Sequence, residues 1–252
     1  MNMLRNKIYD GCANFYLWFR KSDLKKMYSK KILLPENFTV TYHAGAMNTK
    51  PNSIKSIETA IAHGAKIIEM DVSFRPDGLP VIIHNSSPNH KQGEFLENAL
   101  EAVAQSGTCM INLDLKSTEN TAAIDELVKL HGLAERVFYT GVFEDWTDTV
   151  KNNSAIPYYL NHTITEKEAA DKTYAQAAAD KAKALGAIGI NANFKPATEL
   201  FVETMHENGL LVSLWTVNSA ADMPNILKLK PDNITTKKPH ILNKIIDILC
   251  VK

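Results

Sequence analysis

Short apolar, β-branched runs alternate with longer segments of helical period after Lys31. This alternation is typical of βα units on a parallel sheet. The runs predict eight strands: Phe38–Tyr42, Lys66–Val72, Met110–Leu115, Val137–Thr140, Pro157–Leu160, Ala187–Ile190, Leu211–Thr216 and Asn233–Thr235. The other segments predict eight helices: Ser53–His63, Glu94–Gln105, Glu119–His131, Glu144–Lys151, Glu166–Leu185, Pro196–Glu207, Ala220–Lys228 and Pro239–Leu249. The pattern therefore predicts an α/β fold, a TIM-type (β/α)8 barrel.

One apolar run, Pro80–His84, remains after this count, and it follows the second strand too closely for a helical crossover. The residues between them include Pro76, Asp77 and Gly78, which favour a hairpin turn. If Asp77 and Gly78 are the two turn residues, Asp71 lies opposite His84 with Cβ atoms about 5 Å apart. The sequence thus predicts a hairpin that carries His84 back beside Asp71.

Residues 1–31 differ from the rest in charge, with eight lysines and arginines against two aspartates, beside several aromatic residues. The apolar run Ile8–Phe19 is too short to span a bilayer and lacks a signal-peptide cleavage site. Two alternatives stay open: a helix lying on an anionic membrane surface, or a helix closing the bottom of the barrel. We therefore divide the chain into a basic, aromatic helical segment, 1–31, and a barrel, 32–252.

Composition and charge narrow the function further. The chain has 252 residues, enough for one barrel domain, and its 28 basic residues balance its 28 acidic ones. Without a basic field, nucleic acid is not an expected partner. The three cysteines have no metal-site or disulfide spacing, which indicates free thiols and a cytoplasmic location, with peripheral membrane contact if residues 1–31 bind lipid. The oligomeric state is left open.

Three carboxylates fall at the carboxyl ends of predicted strands, where barrel enzymes carry their active sites. Glu69 and Asp71 are two residues apart on one strand, so both side chains point the same way, and Asp114 comes from the neighbouring strand. Clustered buried carboxylates are unfavourable unless a cation lies among them. An oxygen-only ligand set predicts a divalent metal, Mg²⁺ or Ca²⁺.

Two histidines and a lysine belong to the same predicted cluster. His43 follows the first strand, His84 ends the hairpin, and Lys116 follows Asp114 on its strand. A metal with two imidazoles suits the cleavage of a phosphodiester, because one ring can take a proton from the nucleophile while the other protonates the leaving group. Which histidine is the acid is not decided at this point, although a carboxylate beside His84 favours its protonated form.

Six motifs occur in the order found in the glycerophosphodiester phosphodiesterase family: YHAG, NS, GAKIIEMDVSFRPDGLPVIIHN, INLDLK, WTVN and PDNITTKKP. The chain resembles this family from about Val40 to Ile241. The resemblance implies that His43 and His84 are the acid/base pair and that Glu69, Asp71 and Asp114 bind the metal. It also implies two substrate contacts, Lys116 for phosphate and Trp215 as a pocket wall. Asn52 has two readings, a substrate-binding residue or the N-cap of the next helix.

Departures from the family pattern change the expected substrate. Two residues of this chain replace charged residues of the family: Ala44 replaces an arginine and Pro51 a glutamate. In addition, Asp114 replaces a glutamate, and Asn85 replaces an aspartate. Only 29 residues, 85–113, separate His84 from Asp114, so a capping insertion is nearly absent. The short connection and the DLK motif resemble sphingomyelinase D-type phospholipases. We expect hydrolysis of a glycerophosphodiester or a lysophospholipid; the alternative is a non-catalytic barrel that binds phosphate or phospholipid.

Overall fold

The computed structural model describes residues 31–251, so the predicted helical segment 1–31, apart from Lys31 at its end, lies outside the described residues. The predicted barrel is confirmed: eight parallel strands form a closed ring, because the first pairs with both the second and the last. In chain order the barrel strands are β2 (Thr39–Tyr42), β3 (Ile67–Phe74), β6 (Met110–Leu115), β7 (Val137–Val142), β8 (Tyr158–His162), β9 (Gly189–Asn193), β10 (Leu211–Trp215) and β11 (Asn233–Thr236).

Helices cover the outside of the ring. They are α1 (Ile54–Ala62), α2 (Leu96–Gln105), α3 (Thr121–Leu130), α4 (Thr147–Asn153), α5 (Glu166–Ala170), α6 (Lys172–Ala184), α7 (Glu199–Glu207), α8 (Met223–Lys228) and α9 (Pro239–Leu249). The single helix predicted for 166–185 is wrong, since α5 ends before Asp171. That residue has extended backbone, and its carboxylate accepts the Thr173 N–H (2.7 Å), so it starts a new helix.

Between residues 31 and 251, four short strands lie outside the ring. Two of them, β1 (Ile32–Leu33) and β12 (Cys250–Val251), pair in parallel and bring the two ends of the described chain together. The other two, β4 (Pro80–Ile82) and β5 (Glu94–Phe95), extend the sheet beside β3 in antiparallel fashion. Within residues 31–251, the structure has no helix with the length and apolar character needed to cross a membrane.

The predicted hairpin is present, but its predicted register is wrong by one residue. Val72 pairs with Ile82, and the Ile83 N–H donates to the Asp71 carbonyl (2.9 Å), so Asp71 lies opposite Ile83 rather than His84. The reason is the turn: Arg75 and Leu79 close a three-residue loop, in which Gly78 has a φ of +80°. A three-residue loop ending in a left-handed residue shifts the register by one relative to a two-residue turn.

The core has two parts. The larger part lies between strands and helices and includes fully buried side chains such as Leu100 and Phe201. A smaller apolar cluster fills the inside of the barrel at the amino-terminal ends of the strands, where Ile67, Phe138 and Tyr159 meet. The polar residues Ser213 and Asn233 also lie near this floor, whereas the predicted carboxylates lie at the carboxyl ends of the strands, at the mouth of the barrel.

Gly141 creates an irregularity in the barrel wall at the mouth. The pairing of β7 with β8 shifts register between Tyr139 and Val142, and Gly141 in between has a φ of +75°. A Cβ on Gly141 would collide with the Leu115 carbonyl and the Asp114 carboxylate. Only glycine lets β7 pass this close to β6, and the position of the Asp114 carboxylate depends on it.

Replacing Gly141 with alanine should therefore destabilise the barrel by more than backbone strain alone. Gly132→Ala is the control, because Gly132 also has a positive φ (66°) while a Cβ there meets nothing within 4 Å. We expect the control to lose about 1–2 kcal/mol, and Gly141→Ala to lose roughly 1–3 kcal/mol more, in urea unfolding. Equal losses in the two variants would show that the close approach of β7 to β6 is unimportant.

Candidate active site

Three carboxylates meet at the mouth of the barrel. Glu69 and Asp71 lie on β3, and Asp114 lies on β6 directly across the parallel ladder from Asp71. Each offers an oxygen atom within 4.8 Å of the oxygens of the other two. Glu69 and Asp71 are buried, and Asp114 is half-buried. The structure thus brings the three predicted ligands together, as expected for side chains of one face on neighbouring strands.

A bound cation would reduce the electrostatic repulsion among these three carboxylates. Burial raises the pKa of Glu69 well above its usual value, and the negative charges of Asp71 and Asp114 raise it further. The Ala44 N–H partly offsets this by donating to Glu69 Oε2 (2.7 Å). When all three carboxylates are ionised, they and the nearby Lys116 ammonium carry a formal charge of −2. A divalent cation among the carboxylates would balance this charge, so the donor set fits Mg²⁺ or Ca²⁺.

Lys116 lies between two of the carboxylates. Its Nζ is 2.9 Å from Asp71 Oδ1 and 2.6 Å from Asp114 Oδ2. Burial lowers the pKa of Lys116, but the two carboxylates outweigh burial and raise it overall. For Asp71, burial raises the pKa, while Lys116 and the hydrogen bond from Asn52 outweigh burial and lower it. Lys116 is thus the counter-ion of this pair; its contact with substrate phosphate stays a prediction.

Asn52 contacts Asp71 with both ends of its amide. Asn52 Nδ2 donates to Asp71 Oδ2 (2.7 Å), and Asn52 Oδ1 accepts the Asp71 N–H (3.0 Å). The N-cap of α1 is instead Ser53, whose side chain accepts the Ser56 N–H. The N-cap reading of Asn52 is therefore wrong. These contacts fix the orientation of the Asp71 carboxylate, whereas a direct contact between Asn52 and substrate stays a prediction.

His43 lies beside the buried carboxylate of Glu69. Its Nδ1 is 3.0 Å from the Ala44 carbonyl and 3.6 Å from Glu69 Oε2. A carbonyl only accepts, so this contact favours the tautomer with the proton on Nδ1 and leaves Nε2 as the acceptor. Burial lowers the pKa of His43 and the positive charge of Lys237 lowers it further, against the opposing effects of Ala44, Asp71 and Asp114.

His84 reaches the cluster from the end of the hairpin. Although it is not paired with Asp71 across the ladder, its Nδ1 is 3.2 Å from Asp71 Oδ2. This is possible because β4 ends at Ile82, and the chain is free of the ladder when it reaches His84. The side chain of His84 is 81% exposed, whereas that of His43 is 25% exposed. The two predicted histidines thus differ in their access to water.

A cavity of about 250 Å³ joins these groups at the carboxyl ends of the strands. Trp215, the predicted wall, lines it together with residues that we did not predict. These are Asn112, Thr140, Thr216 and Thr235; Asn191 also lines the cavity. Thr140 Oγ1 contacts both Asn112 Oδ1 (2.9 Å) and Asp114 Oδ1 (3.2 Å). Asn112 could have been found from the sequence, since it precedes Asp114 by two residues on an apolar strand and so shares its face.

A larger cavity, about 480 Å³, opens at the opposite end of the barrel. Its walls include the apolar floor residues Ile67, Phe138 and Tyr159. The carboxylate cluster and both predicted histidines line the smaller cavity instead. The chemistry of its walls therefore makes the smaller cavity the candidate active site.

Comparison with known proteins identifies relatives of the chain. Residues 43–91 and 94–241 match the model of the glycerophosphoryl diester phosphodiesterase family. No curated protein matches the sequence.

Solved structures with the same fold include a glycerophosphodiester phosphodiesterase from Parabacteroides distasonis, with 22% identity, a TM-score of 0.69, and coverage of 84% of this chain and 97% of that one. The glycerophosphodiester phosphodiesterase from Thermotoga maritima has 17% identity and a TM-score of 0.64, with coverage of 82% and 98%. A phosphodiesterase from Oleispira antarctica, solved in complex with the product sn-glycerol-3-phosphate, has 19% identity and a TM-score of 0.67, with coverage of 85% and 97%.

Metal binding should stabilise the protein, and the stabilisation should depend on Glu69. Mg²⁺ or Ca²⁺ at about 100 times its Kd is expected to raise the free energy of unfolding by about 2.7 kcal/mol relative to protein in chelator. Glu69→Gln should remove most of this gain. The matched control is Glu58→Gln, because Glu58 is an exposed glutamate whose ion pair with Lys55 lies outside the site.

The measurement is thermal or urea unfolding with and without the metal. Since Glu69→Gln also replaces a buried ionisable carboxyl group, stability in chelator alone is not diagnostic, and the gain on adding metal is the quantity compared. A full metal-dependent gain in Glu69→Gln would contradict the assignment of Glu69 as a ligand.

Proposed function

Because the chain belongs to the glycerophosphoryl diester phosphodiesterase family, a family of phosphoric diester hydrolases, we propose that it hydrolyses a glycerophosphodiester or a lysophospholipid with two histidines and a divalent metal. One observation carries the proposal: His43 and His84 line the same small cavity as the carboxylate cluster. A barrel that only binds phosphate has no need of two proton-transfer groups beside a metal site.

In this proposal, the metal ligands are Glu69, Asp71 and Asp114. A bound Mg²⁺ or Ca²⁺ would neutralise the phosphoryl oxygens and make a nearby hydroxyl more acidic. The protein's own contribution is to keep the three carboxylates together in their ionised form. Lys116 and Asn52 serve this purpose through their contacts with Asp71, and the Ala44 N–H serves it at Glu69.

The contacts of the two histidines support opposite roles in proton transfer. His43 has its Nδ1 against the Ala44 carbonyl, so its Nε2 can accept the proton of the attacking hydroxyl. His84 has its Nδ1 beside the Asp71 carboxylate, which can accept a ring N–H. We assign His84 to donate a proton to the leaving oxygen as its bond to phosphorus breaks. The second histidine is thus the acid and the first is the base.

The Oleispira antarctica neighbour, with its bound sn-glycerol-3-phosphate, supports a glycerol phosphate group as the part of the substrate held at the site. The surroundings of the mouth support an acyl chain attached to it. Residues 85–113 contain only β5, α2, the start of β6 and the connecting turns, so no inserted domain stands over the cavity. Phe143 follows β7 at the mouth, is exposed, and packs edge-on against Trp146. Peripheral membrane contact through residues 1–31, at a cytoplasmic location, is part of this proposal.

The second candidate function is a non-catalytic barrel that binds phosphate or phospholipid. It is favoured by Ala44, an apolar residue at a position where the resemblance implies a phosphate-binding arginine. Ala44 is buried, and its N–H is bonded to Glu69. Turnover of any phosphodiester that depends on both histidines would exclude it.

Substitution of either histidine should reduce turnover without unfolding the protein. We expect His43→Ala and His84→Ala to lower kcat by about 100-fold or more, the usual scale of general acid/base catalysis. His90→Ala is the matched control for His84→Ala. His90 also pairs with an aspartate at 3.3 Å, but its partner is Asp77, which lies on the exposed hairpin turn. Assays with glycerophosphocholine and with lysophosphatidylcholine in Mg²⁺ or Ca²⁺ give the rates. Activity that survives loss of His43 or His84 refutes the acid/base assignment.

The lipid proposal predicts a selective effect at Phe143. If an acyl chain leaves the cavity past this ring, Phe143→Ser should raise KM for lysophosphatidylcholine by about tenfold, the scale of losing one large apolar contact, and leave KM for glycerophosphocholine unchanged. Leu130→Ser is the control, since Leu130 is an exposed apolar residue at the end of α3, away from the mouth. Cleavage of glycerophosphocholine alone would exclude the lysophospholipid and keep the phosphodiesterase.

A further inference from the structure

Lys237 emerges beside His43 at the mouth of the barrel. β11 and β2 are parallel neighbours in which Thr236 pairs with Tyr42, and the His43 N–H donates to the Thr236 carbonyl (3.0 Å). The next residues along the two strands are Lys237 and His43. Parallel register therefore places the lysine next to the histidine, on the side of the site formed by β11.

The backbone of Lys237 is held on two sides. Its N–H donates to Asn218 Oδ1 (2.8 Å), and its carbonyl accepts the Met47 N–H (3.3 Å). The loops that follow β10 and β2 thus fix where the side chain begins. The side chain itself is exposed, and it forms no ion pair with a carboxylate in the described range 31–251. A fixed backbone with an unengaged ammonium leaves this charge available to a ligand.

The charge of Lys237 acts on the site. Burial is the main cause of the lowered pKa of His43, and the positive charge of Lys237 is a further cause. The strand register that places Lys237 next to His43 brings this charge to the same side of the site. An anion bound beside this histidine would feel the same charge as an attraction.

The site needs a cation on this side. Lys116 is the only lysine or arginine among the described residues that line the cavity, and it is engaged by Asp71 and Asp114. The residues after β2 contribute no cationic side chain here, because His43 is followed by the buried Ala44. A divalent metal would balance the carboxylate cluster but would leave no excess positive charge for a phosphodiester anion, whose negative oxygens need a further donor.

We propose that the Lys237 ammonium binds a phosphate oxygen of the substrate on the His43 side of the cavity. This inference rests on the proposed function, since it assigns a substrate contact to the same site. Lys237 would hold the anion against His43 and the metal ligands, while Lys116 keeps its role between Asp71 and Asp114. The contact is electrostatic, so its contribution should weaken as salt is added.

The test compares Lys237→Met, Lys237→Arg and Lys238→Met. Lys238 is the matched control, because it is the next residue, is also exposed, and is not placed in the site. Binding of inorganic phosphate is measured by calorimetry in Mg²⁺ or Ca²⁺ at two salt concentrations, and KM and kcat are measured with glycerophosphocholine. We expect Lys237→Met to weaken phosphate binding by about tenfold, with a smaller salt dependence, while Lys237→Arg stays near the wild type.

The outcomes separate this inference from the proposed function. The Lys237 contact is supported if phosphate binding weakens in Lys237→Met and persists in Lys238→Met. If no substrate is turned over in that case, only the phosphodiesterase proposal fails. Turnover with unchanged KM and unchanged phosphate binding in Lys237→Met overturns the Lys237 contact alone. Equal weakening in Lys237→Met and Lys238→Met, or no phosphate binding by the wild-type protein, also overturns it.

Discussion

Mutual repulsion among three carboxylates is the constraint around which the mouth of this barrel is built. Asp71 and Asp114 are paired across adjacent strands, and Glu69 is buried beside them. Every strong polar contact nearby reduces this repulsion: the Lys116 ammonium, the Asn52 amide and the Ala44 N–H all bond to these acids. The contacts come from the residues after β2, the loop before α1, and the end of β6, so they form only when these parts of the chain pack against β3.

The regular part of the fold could be predicted because its causes are local. Alternation of apolar runs with helical period is enough to find eight strands and eight helical regions. Two errors arose where one residue changes the backbone: Asp171 divides a predicted helix by accepting an N–H, and Gly78 takes a left-handed conformation that lengthens the hairpin turn. Neither event changes the apolar pattern, so periodicity could not detect it.

The candidate site was predictable to the extent that its residues lie at strand ends. Glu69, Asp71 and Asp114 come together because they end parallel strands, which the pattern indicates. Contacts made across loops are a different matter. The hydrogen bond of Asn52 to Asp71 depends on the left-handed backbone of Asn52 itself, in the loop before α1. The position of Lys237 beside His43 depends on the pairing of the first and last barrel strands. Spacing along the sequence contains no sign of either.

The unequal exposure of the two histidines has a consequence for the reaction cycle. The hairpin strand below His84 is buried, with Val81 and Ile82 almost inaccessible, yet the ring at its end projects into solvent. A histidine in this position exchanges its proton with bulk water directly. If it is the acid, it can be recharged between turnovers without a relay of side chains. Buffer concentration should then have little influence on the steady-state rate, even though the opposite histidine is half enclosed.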